Sequence, residues 1–230
     1  MAELRLEAAE VRSPDGERTI LHPTTLTLTE QRIGLIGGNG SGKSTLVRLF
    51  NGLVRPSSGS VLVDGRDVAR HGAAVRRRIG FCFTDPAAQL VMPTCVEDVE
   101  LSLRKRITDR GRRREAALAT LERFGLAERA EVSVHSISGG QRQLLALAGV
   151  LATDPDVLIA DEPTTLLDLR NARMVGDVLF DLPQQLVLVT HDLDLVRRCD
   201  RVVVIDDGAV SYDGPPDVAV EAYVAAAVRG

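Results

Sequence analysis

Aromatic residues are scarce in this chain. It has no tryptophan, and aromatic residues make up 3% of its 230 positions. Proteins that bind bases or sugars by stacking depend on aromatic rings, so this composition argues against that class of protein. Cysteine is also rare: Cys82, Cys95 and Cys199 are scattered and lack metal-ligand spacing, which predicts reduced thiols that serve as packing residues.

Long apolar runs are missing as well. No segment approaches the roughly 18 apolar residues that a membrane-spanning helix needs. The N-terminus lacks the basic start and apolar stretch of a signal peptide. The formal net charge of −4 gives no global attraction for nucleic acid or for anionic lipid. We therefore expect no nucleic-acid partner, and any membrane process would be served from outside the bilayer.

The hydrophobic pattern predicts an α/β fold. Residues 3–11 and 19–28 alternate as strands do around a turn at Ser13–Gly16, which indicates an N-terminal antiparallel β-layer. Later, short apolar strands alternate with helical patterns, as is typical of a parallel sheet covered on both faces. These strands are predicted at 32–36, 79–83, 157–160, 186–190 and 202–205.

Residues 95–125 differ from this alternation, because two consecutive helical patterns occur there without a strand between them. We expect an inserted α-helical subdomain at about 87–140. The whole chain, 1–230, is then one nucleotide-binding domain.

A glycine-rich turn follows the apolar stretch 32–36 and fits the pattern G-x-x-x-x-G-K-[ST] completely. Glycines let successive backbone N–H groups face an anion, and the following helix adds its positive dipole end. The lysine would neutralise the β- and γ-phosphates, and the serine hydroxyl suits Mg²⁺. A dinucleotide fingerprint, G-x-G-x-x-G, is absent. The predicted ATP- and Mg²⁺-binding loop comprises Gly37, Gly38, Asn39, Gly40, Ser41, Gly42, Lys43, Ser44 and Thr45.

Two adjacent carboxylates end the apolar strand 157–160. Asp161 stands where a carboxylate near Mg²⁺ is needed, and Glu162 follows it directly. A carboxylate in that second position can polarise a water molecule for in-line attack on the γ-phosphate. Asp161 is thus predicted near the metal, with Glu162 as general base.

A second glycine-rich turn, Ser138-Gly139-Gly140-Gln141, precedes another helix and forms a second anion-binding helix N-terminus. One chain has no evident use for two such turns, but two facing copies do, because each can cap the nucleotide of the other. The turn resembles the signature of the ATP-binding-cassette (ABC) family. The motifs also occur in that family's order: glycine-rich loop, signature, Asp161-Glu162, Leu167-Asp168 and Thr190-His191.

This resemblance implies a P-loop NTPase fold with a RecA-like core. It also implies that His191 contacts the γ-phosphate. Ser138, Gly139, Gly140 and Gln141 would act on the nucleotide of a second copy, and Asp168 would lie at the dimer seam. A homodimer is favoured, and a heterodimer stays open.

The segment 83–99 is similar to one found in ATPases of energy-coupling-factor importers. The sequence of residues 165–171 is most similar to the corresponding segment in the ATPases of biotin importers. The resemblance implies a transmembrane coupling subunit, a substrate-binding membrane subunit and a peripheral position on the cytoplasmic face of the membrane. Import of another vitamin, or of cobalt or nickel, is the main alternative. A soluble ABC ATPase and a small-molecule phosphotransferase are further alternatives.

The sequence departs from the family pattern at two positions. Thr84 stands where the family has a metal-contacting glutamine, so Gln89 is predicted to take that role. Ser13 stands where relatives stack adenine on an aromatic ring, which predicts weak discrimination between ATP and GTP.

Overall fold

The computed structural model describes the backbone of residues 1–229 and the side chains of residues 1–226. Its strands are β1 (Leu4–Arg12), β2 (Thr19–Leu28), β3 (Arg32–Ile36), β4 (Ser58–Val63), β5 (Arg66–Asp67), β6 (Ile79–Cys82), β7 (Val157–Asp161), β8 (Gln185–Val189), β9 (Arg201–Asp206) and β10 (Ala209–Gly214). Its helices are α1 (Lys43–Phe50), α2 (Val68–Arg78), α3 (Cys95–Leu103), α4 (Arg110–Arg123), α5 (Gly139–Leu151), α6 (Leu169–Asp181), α7 (Leu193–Val196) and α8 (Pro216–Arg229).

The larger sheet has six strands in the order β10-β9-β3-β8-β7-β6. Every pairing in it is parallel except that of β9 with β10. The carboxyl ends of β3, β7 and β8 therefore meet at one edge, which is where open α/β sheets bind ligands. The predicted α/β class with a parallel sheet is confirmed.

Both faces of the sheet are buried along the parallel strands β3, β6, β7, β8 and β9, which explains why the interiors of these strands are apolar. Alternate residues of β7 and β8, such as Leu158 and Leu186, belong to a core shared with α5 and α6. The intervening residues, such as Ile159 and Val187, belong to a second core shared with α1 and the N-terminal strands. Those strands form the predicted antiparallel sheet, with four strands in the order β2-β1-β4-β5.

Helices α3 and α4 lie in the region predicted as a helical insert. Their buried side chains, including Val96 and Leu121, belong to the same core as Leu145 of α5 and Leu158 of the sheet. Because this core is continuous, the boundaries at 87 and 140 stay a prediction; the predicted end at Gly230 lies outside the described residues. No helix in the described part of the chain has both the length and the apolarity to cross a bilayer.

The structure adds elements that the pattern did not predict, among them β5, α2, β10 and α8. Only Val68 and Val75 are buried in α2, so its apolar period is weak. Helix α5 is buried over most of its surface, including the polar Gln143. Helix α7 is short and ends at Val196.

Candidate active site

The glycine-rich loop between β3 and α1 contains positions that only glycine tolerates. Gly37 and Gly42 have φ angles of 153° and 102°. A Cβ on Gly37 would lie 2.1 Å from the Ile205 carbonyl oxygen, and one on Gly42 would lie 2.9 Å from that of Ile20. No side chain caps the start of α1. Its first N–H groups are therefore left to an external acceptor, as a phosphate-binding loop requires.

Lys43 occupies the inside of this loop. Its Nζ donates to the carbonyl oxygens of Gly37 and Gly38, both at 2.8 Å. Burial lowers the pKa of the Lys43 ammonium, while the carboxylates of Glu162 and Asp161 oppose that shift. A bound phosphate would supply the counter-charge that burial denies this group, so the loop suits an anion.

Asp161 ends β7 with a side chain that is fully buried. Ser44 donates its hydroxyl to one carboxylate oxygen at 2.8 Å, and Arg48 donates to the other at 3.0 Å. The backbone carbonyl of Asp161 accepts from the Thr84 hydroxyl at 2.8 Å. Arg48 was not among the predicted site residues, although it lies four positions after Ser44 and so on the same face of α1.

The residues at this edge fit Mg²⁺ as a partner. Ser44 and Asp161 place oxygen atoms side by side, and oxygen is the donor that Mg²⁺ prefers. The hydroxyl of Ser41 is buried without a hydrogen-bond partner in the described structure, so the loop still has an unused polar group. No cluster of three or more His, Cys, Asp or Glu side chains able to hold a metal occurs among the described residues. The chain thus offers a partial site of the kind that substrate phosphates complete.

Glu162 follows Asp161 with a backbone conformation that is uncommon for a side-chain-bearing residue, with φ of 55°. Its N–H donates to the Val189 carbonyl at 2.9 Å, which holds this turn against β8. One carboxylate oxygen, Oε2, lies 2.8 Å from His191 Nδ1 and accepts the Thr165 hydroxyl at 2.8 Å. Among the described residues Oε1 has no hydrogen-bond partner, so it is available to a water molecule. Strained backbone of this kind is concentrated at functional sites.

The second predicted anion site is built differently. Ser138 caps α5, accepting from Gln141 N–H at 3.2 Å, while its own N–H donates to Gln141 Oε1 at 2.9 Å. Asp168 caps α6 by accepting from Asn171 N–H at 2.9 Å, and this bond lowers the pKa of the Asp168 carboxyl. A Cβ on Gly140 would lie 2.5 Å from Asn171 Oδ1. Glycine at that position therefore lets the starts of α5 and α6 meet.

The predicted residues thus form two separate groups. Lys43, Ser44, Asp161, Glu162 and His191 come together at the carboxyl edge of the parallel sheet. The turn 138–141 meets the start of α6 instead. Across the described residues, no hydrogen bond or ion pair joins this turn to the loop 37–45.

Gln89 does not lie where it was predicted. Its Oε1 accepts from Phe83 N–H at 3.1 Å, and its Nε2 donates to the Ala146 carbonyl at 3.4 Å. The side chain therefore joins β6 to α5 and makes no hydrogen bond with Ser44 or Asp161. Thr84 is the residue of this segment that contacts Asp161, although only through the backbone carbonyl. Spacing along the sequence could not show this, because the direction of the Gln89 side chain depends on α5.

Asp98 stabilises the loop that follows Gln89 by accepting hydrogen bonds from its backbone. This carboxylate, 6% exposed, accepts the N–H groups of Val91 and Met92 at 2.9 and 3.0 Å. Thr94 and Glu97 form a reciprocal capping box that starts α3. Val91 is left 68% exposed. The contacts of Asp98 and the capping box of Thr94 therefore hold a loop that presents the apolar side chain of Val91 to the surface.

The turn at Ser13, where the family resemblance led us to expect an aromatic ring, is held by polar contacts. Ser13 contacts the carboxylate of Asp15, and its hydroxyl accepts from Arg18 N–H at 3.0 Å. The serine thus stabilises its own turn.

Comparison with known proteins agrees with this geometry. The sequence profile described as "ABC transporter" matches residues 21–165. The biotin transport ATP-binding protein BioM of Rhizobium etli is 40% identical over 208 residues, which cover 90% of this chain and 92% of that protein. BioM of Rhodobacter capsulatus is also 40% identical, over 88% of this chain and 86% of its own length.

Solved structures agree as well. CbiO1 from Clostridium perfringens, part of the ABC transporter complex cbiONQ, has a TM-score of 0.84 at 32% identity, covering 96% of this chain and 92% of CbiO1. The cassette MJ0796, a dimer in a post-hydrolysis state with ADP and Pi, has a TM-score of 0.83 at 29% identity, covering 93% of this chain and 98% of that one. This chain belongs to the ABC transporter family, and it is an ATPase subunit of a transporter.

Proposed function

We propose that this chain is the ATPase of an energy-coupling-factor importer and that biotin is the imported substrate. The similarity to BioM proteins over nearly the whole chain supports the substrate. The likeness to CbiO1, itself part of a larger complex, supports the type of importer. In such an importer a membrane subunit would select the substrate, so the assignment of biotin depends on the similarity to BioM proteins.

Two copies of the chain act together in this proposal. The observation that carries it is the separation of the two anion-binding turns. The loop around Lys43 has its carboxylates in place, whereas Ser138 lies at the start of another helix and makes no hydrogen bond with that loop. In a head-to-tail dimer, Ser138 of each copy would meet the γ-phosphate held by Lys43 of the other, with Asp168 at the seam.

The chemistry follows from the contacts around Glu162. Lys43 would exchange the carbonyls of Gly37 and Gly38 for phosphate oxygens. Mg²⁺, when bound, supplies positive charge to the β- and γ-phosphates beside Ser44 and Asp161. Glu162 Oε1 would take a proton from the attacking water, while His191 and Thr165 hold the other oxygen in place.

The membrane partner would bind the loop that Asp98 stabilises. Its exposed Val91 lies beside a groove of about 260 Å³ lined by Met92, Glu97, Leu101 and Arg110, among others. Closure of the dimer would move this loop and pull on a transmembrane coupling subunit, which in turn contacts a substrate-binding membrane subunit. The chain would therefore work as a peripheral protein on the cytoplasmic face of the membrane, without a nucleic-acid partner.

Dimer formation can be tested with a variant that binds ATP without hydrolysing it. Glu162→Gln mixed with Mg·ATP should double the mass measured by light scattering, and return to the monomer when nucleotide is removed. A second change, Ser138→Arg, should keep this variant monomeric while ATP still binds. A Glu162→Gln chain that stays monomeric when saturated, both alone and within its membrane assembly, would rule out the mechanism.

The importer type and substrate need a separate experiment. A tagged chain is recovered from detergent-solubilised membranes, and its partners and bound small molecules are identified by mass spectrometry. Two membrane proteins with bound biotin are expected. Another vitamin, cobalt or nickel in their place would reassign the substrate and leave the ATPase role intact. Recovery without any membrane protein would favour a soluble ABC ATPase.

A further inference from the structure

Arg48 forms an ion pair with Asp161 of the nucleotide site, although the proposed hydrolysis of ATP assigns it no role. It lies on α1, one turn after Ser44, and both side chains reach the carboxylate of Asp161. Each takes a different oxygen, so Asp161 has no free oxygen in this structure. The pair with Arg48 measures 3.0 Å, with Asp161 fully buried and Arg48 39% exposed.

Asp161 forms its ion pair with Arg48, and no other ion pair of this carboxylate occurs among the described residues. A buried carboxylate needs a nearby positive charge, because desolvation otherwise makes its ionised form costly. Lys43 does not supply that charge through an ion pair, since its ammonium donates to the carbonyls of Gly37 and Gly38. Among the described residues, Arg48 is the one cation within ion-pair distance of Asp161.

The hydrogen bonding of Arg48 also indicates that its main partner is Asp161. Its Nε is buried and has no hydrogen-bond partner in the described residues, and Asp161 is the one acceptor of its guanidinium there. Arg32 is a useful contrast. Its guanidinium donates to four backbone carbonyls, as expected of an arginine that ties segments together. Arg48 instead donates to a single carboxylate, that of Asp161.

We propose that Arg48 is a resident counter-charge: it balances Asp161 while the site holds no metal, and it competes with Mg²⁺ for that carboxylate when nucleotide is bound. The proposal rests on the nucleotide site described under the proposed function. Its consequence concerns turnover. A site that keeps a positive charge of its own binds Mg²⁺ less tightly and so releases the Mg·ADP product more readily. Arg48 is a positioning residue in this role, since it acts through Asp161.

Thermal unfolding of the full chain tests the proposal without using activity. Wild type, Arg48→Met and Arg48→Lys are each melted with ADP and EDTA, and then with ADP and Mg²⁺. The quantity compared is the rise in melting temperature that Mg²⁺ adds. Removing the charge should make this rise at least about 2 °C larger in Arg48→Met, because Asp161 then gains its counter-charge only from the metal. Arg48→Lys should match the wild type.

A magnesium titration in the presence of ADP gives the second readout. The Mg²⁺ concentration at half-maximal stabilisation should be at least about threefold lower in Arg48→Met, because no like charge opposes the metal. Arg197→Met is the control. This arginine directly follows α7 and forms exposed ion pairs with Asp194 and Asp217, so its loss should leave the Mg²⁺-dependent rise unchanged. If Arg48→Met does not fold, Arg48→Gln removes the charge while keeping a donor and should show the same direction.

The possible results distinguish failure of the Arg48 counter-charge from failure of the nucleotide site itself. A Mg²⁺-dependent rise that is equal or smaller in Arg48→Met, or in Arg48→Gln where that variant replaces it, than in wild type overturns the counter-charge, because a purely structural arginine lowers every melting temperature alike. That result would leave the nucleotide site standing. Absence of any stabilisation of the wild type by Mg·ADP would instead overturn the nucleotide site and this proposal together.

Discussion

The starts of α1 and α5 are both glycine-rich, yet they differ in what already occupies them. At α1 no side chain caps the helix, and buried Lys43 fills the loop. At α5 the exposed Ser138 and the half-buried Gln141 satisfy each other's N–H groups through a complete capping box. The start of α1 therefore suits an anion, which would take over the contacts that Lys43 makes with the carbonyls of Gly37 and Gly38. The start of α5 is already satisfied without one.

This difference explains how one chain can hold two anion-binding turns without using both. A helix end with uncapped N–H groups and a buried cation gains free energy directly from a phosphate. A capped end must first give up hydrogen bonds worth about 1 kcal/mol. We therefore expect α1 to bind nucleotide in a single chain, and α5 to contribute only after a second copy has closed over it.

Glu162→Gln should give the largest effect, since it removes the proposed general base and leaves both helix ends unchanged. ATP turnover of the purified chain should fall by roughly 10²–10⁴-fold. Nucleotide affinity at α1 should not fall, because the hydrogen bonds of Glu162 go to His191 and Thr165 rather than to the loop, and losing its negative charge does not repel a phosphate. Phosphate release and nucleotide titration measure the two quantities. Turnover that survives the change would mean that another group activates the water.

Lys43→Ala tests the α1 end alone. The affinity of the single chain for Mg·ATP should fall about 10- to 100-fold, as expected for loss of one hydrogen-bonded charge worth about 1.5–3 kcal/mol. The chain offers a matched control, because its other lysine, Lys105, is exposed on the helical region. Calorimetric titration should show no change for Lys105→Ala. Equal losses in both variants would indicate a general charge effect.

Ser138→Ala tests the α5 end. Binding of ATP to the single chain should not change, but turnover should fall about tenfold, the value of one charge-assisted hydrogen bond of about 1.5 kcal/mol. Thr94→Ala is the control, because it breaks a similar capping box at α3. Both changes should lower the melting temperature by about 2–4 °C. Only Ser138→Ala should slow turnover, and a similar loss in Thr94→Ala would show that the effect is one of stability.

The base of the nucleotide should matter less than its phosphates. Ser13 contacts Asp15 and Arg18 of its own turn, so no ring is offered to adenine there. Affinities for ATP and GTP should therefore differ by less than about tenfold, or about 1.4 kcal/mol. Calorimetric titration with both nucleotides measures the ratio. A much larger gap would show that another part of the chain reads the base.

The smallest effect is expected beneath α5. Gln143 of this helix donates to the Cys82 sulfur at 3.2 Å, and burial raises the pKa of the Cys82 thiol to about 12. Since the thiolate is the reactive form, only roughly one molecule in 10⁴ would be ionised at pH 8. Alkylation followed by mass spectrometry should find Cys82 unmodified with or without nucleotide, and modified in urea. Labelling with nucleotide present would mean that the whole helix moves.

Much of the fold was predictable because it depends on local patterns. The strands of the parallel sheet are predictable from their apolar runs, since burial on both faces confines polar residues to the strand ends. Helix α2 was missed because it buries only Val68 and Val75, which gives no clear period. Gln89 was assigned to the metal from its place in a motif, but contacts with Phe83 and Ala146 direct it elsewhere.

The sequence by itself determined which chemical groups are present and in what order: the glycines and Lys43 of the loop, the paired carboxylates, and the Ser138 turn. It could do so because these spacings act over a few residues. Only the tertiary structure decided which groups meet. Ser44 and Asp161 are 117 positions apart, and Glu162 and His191 are 29 apart. Those contacts, and the pairing of Arg48 with Asp161, exist because parallel strands bring their carboxyl ends to one edge beside α1.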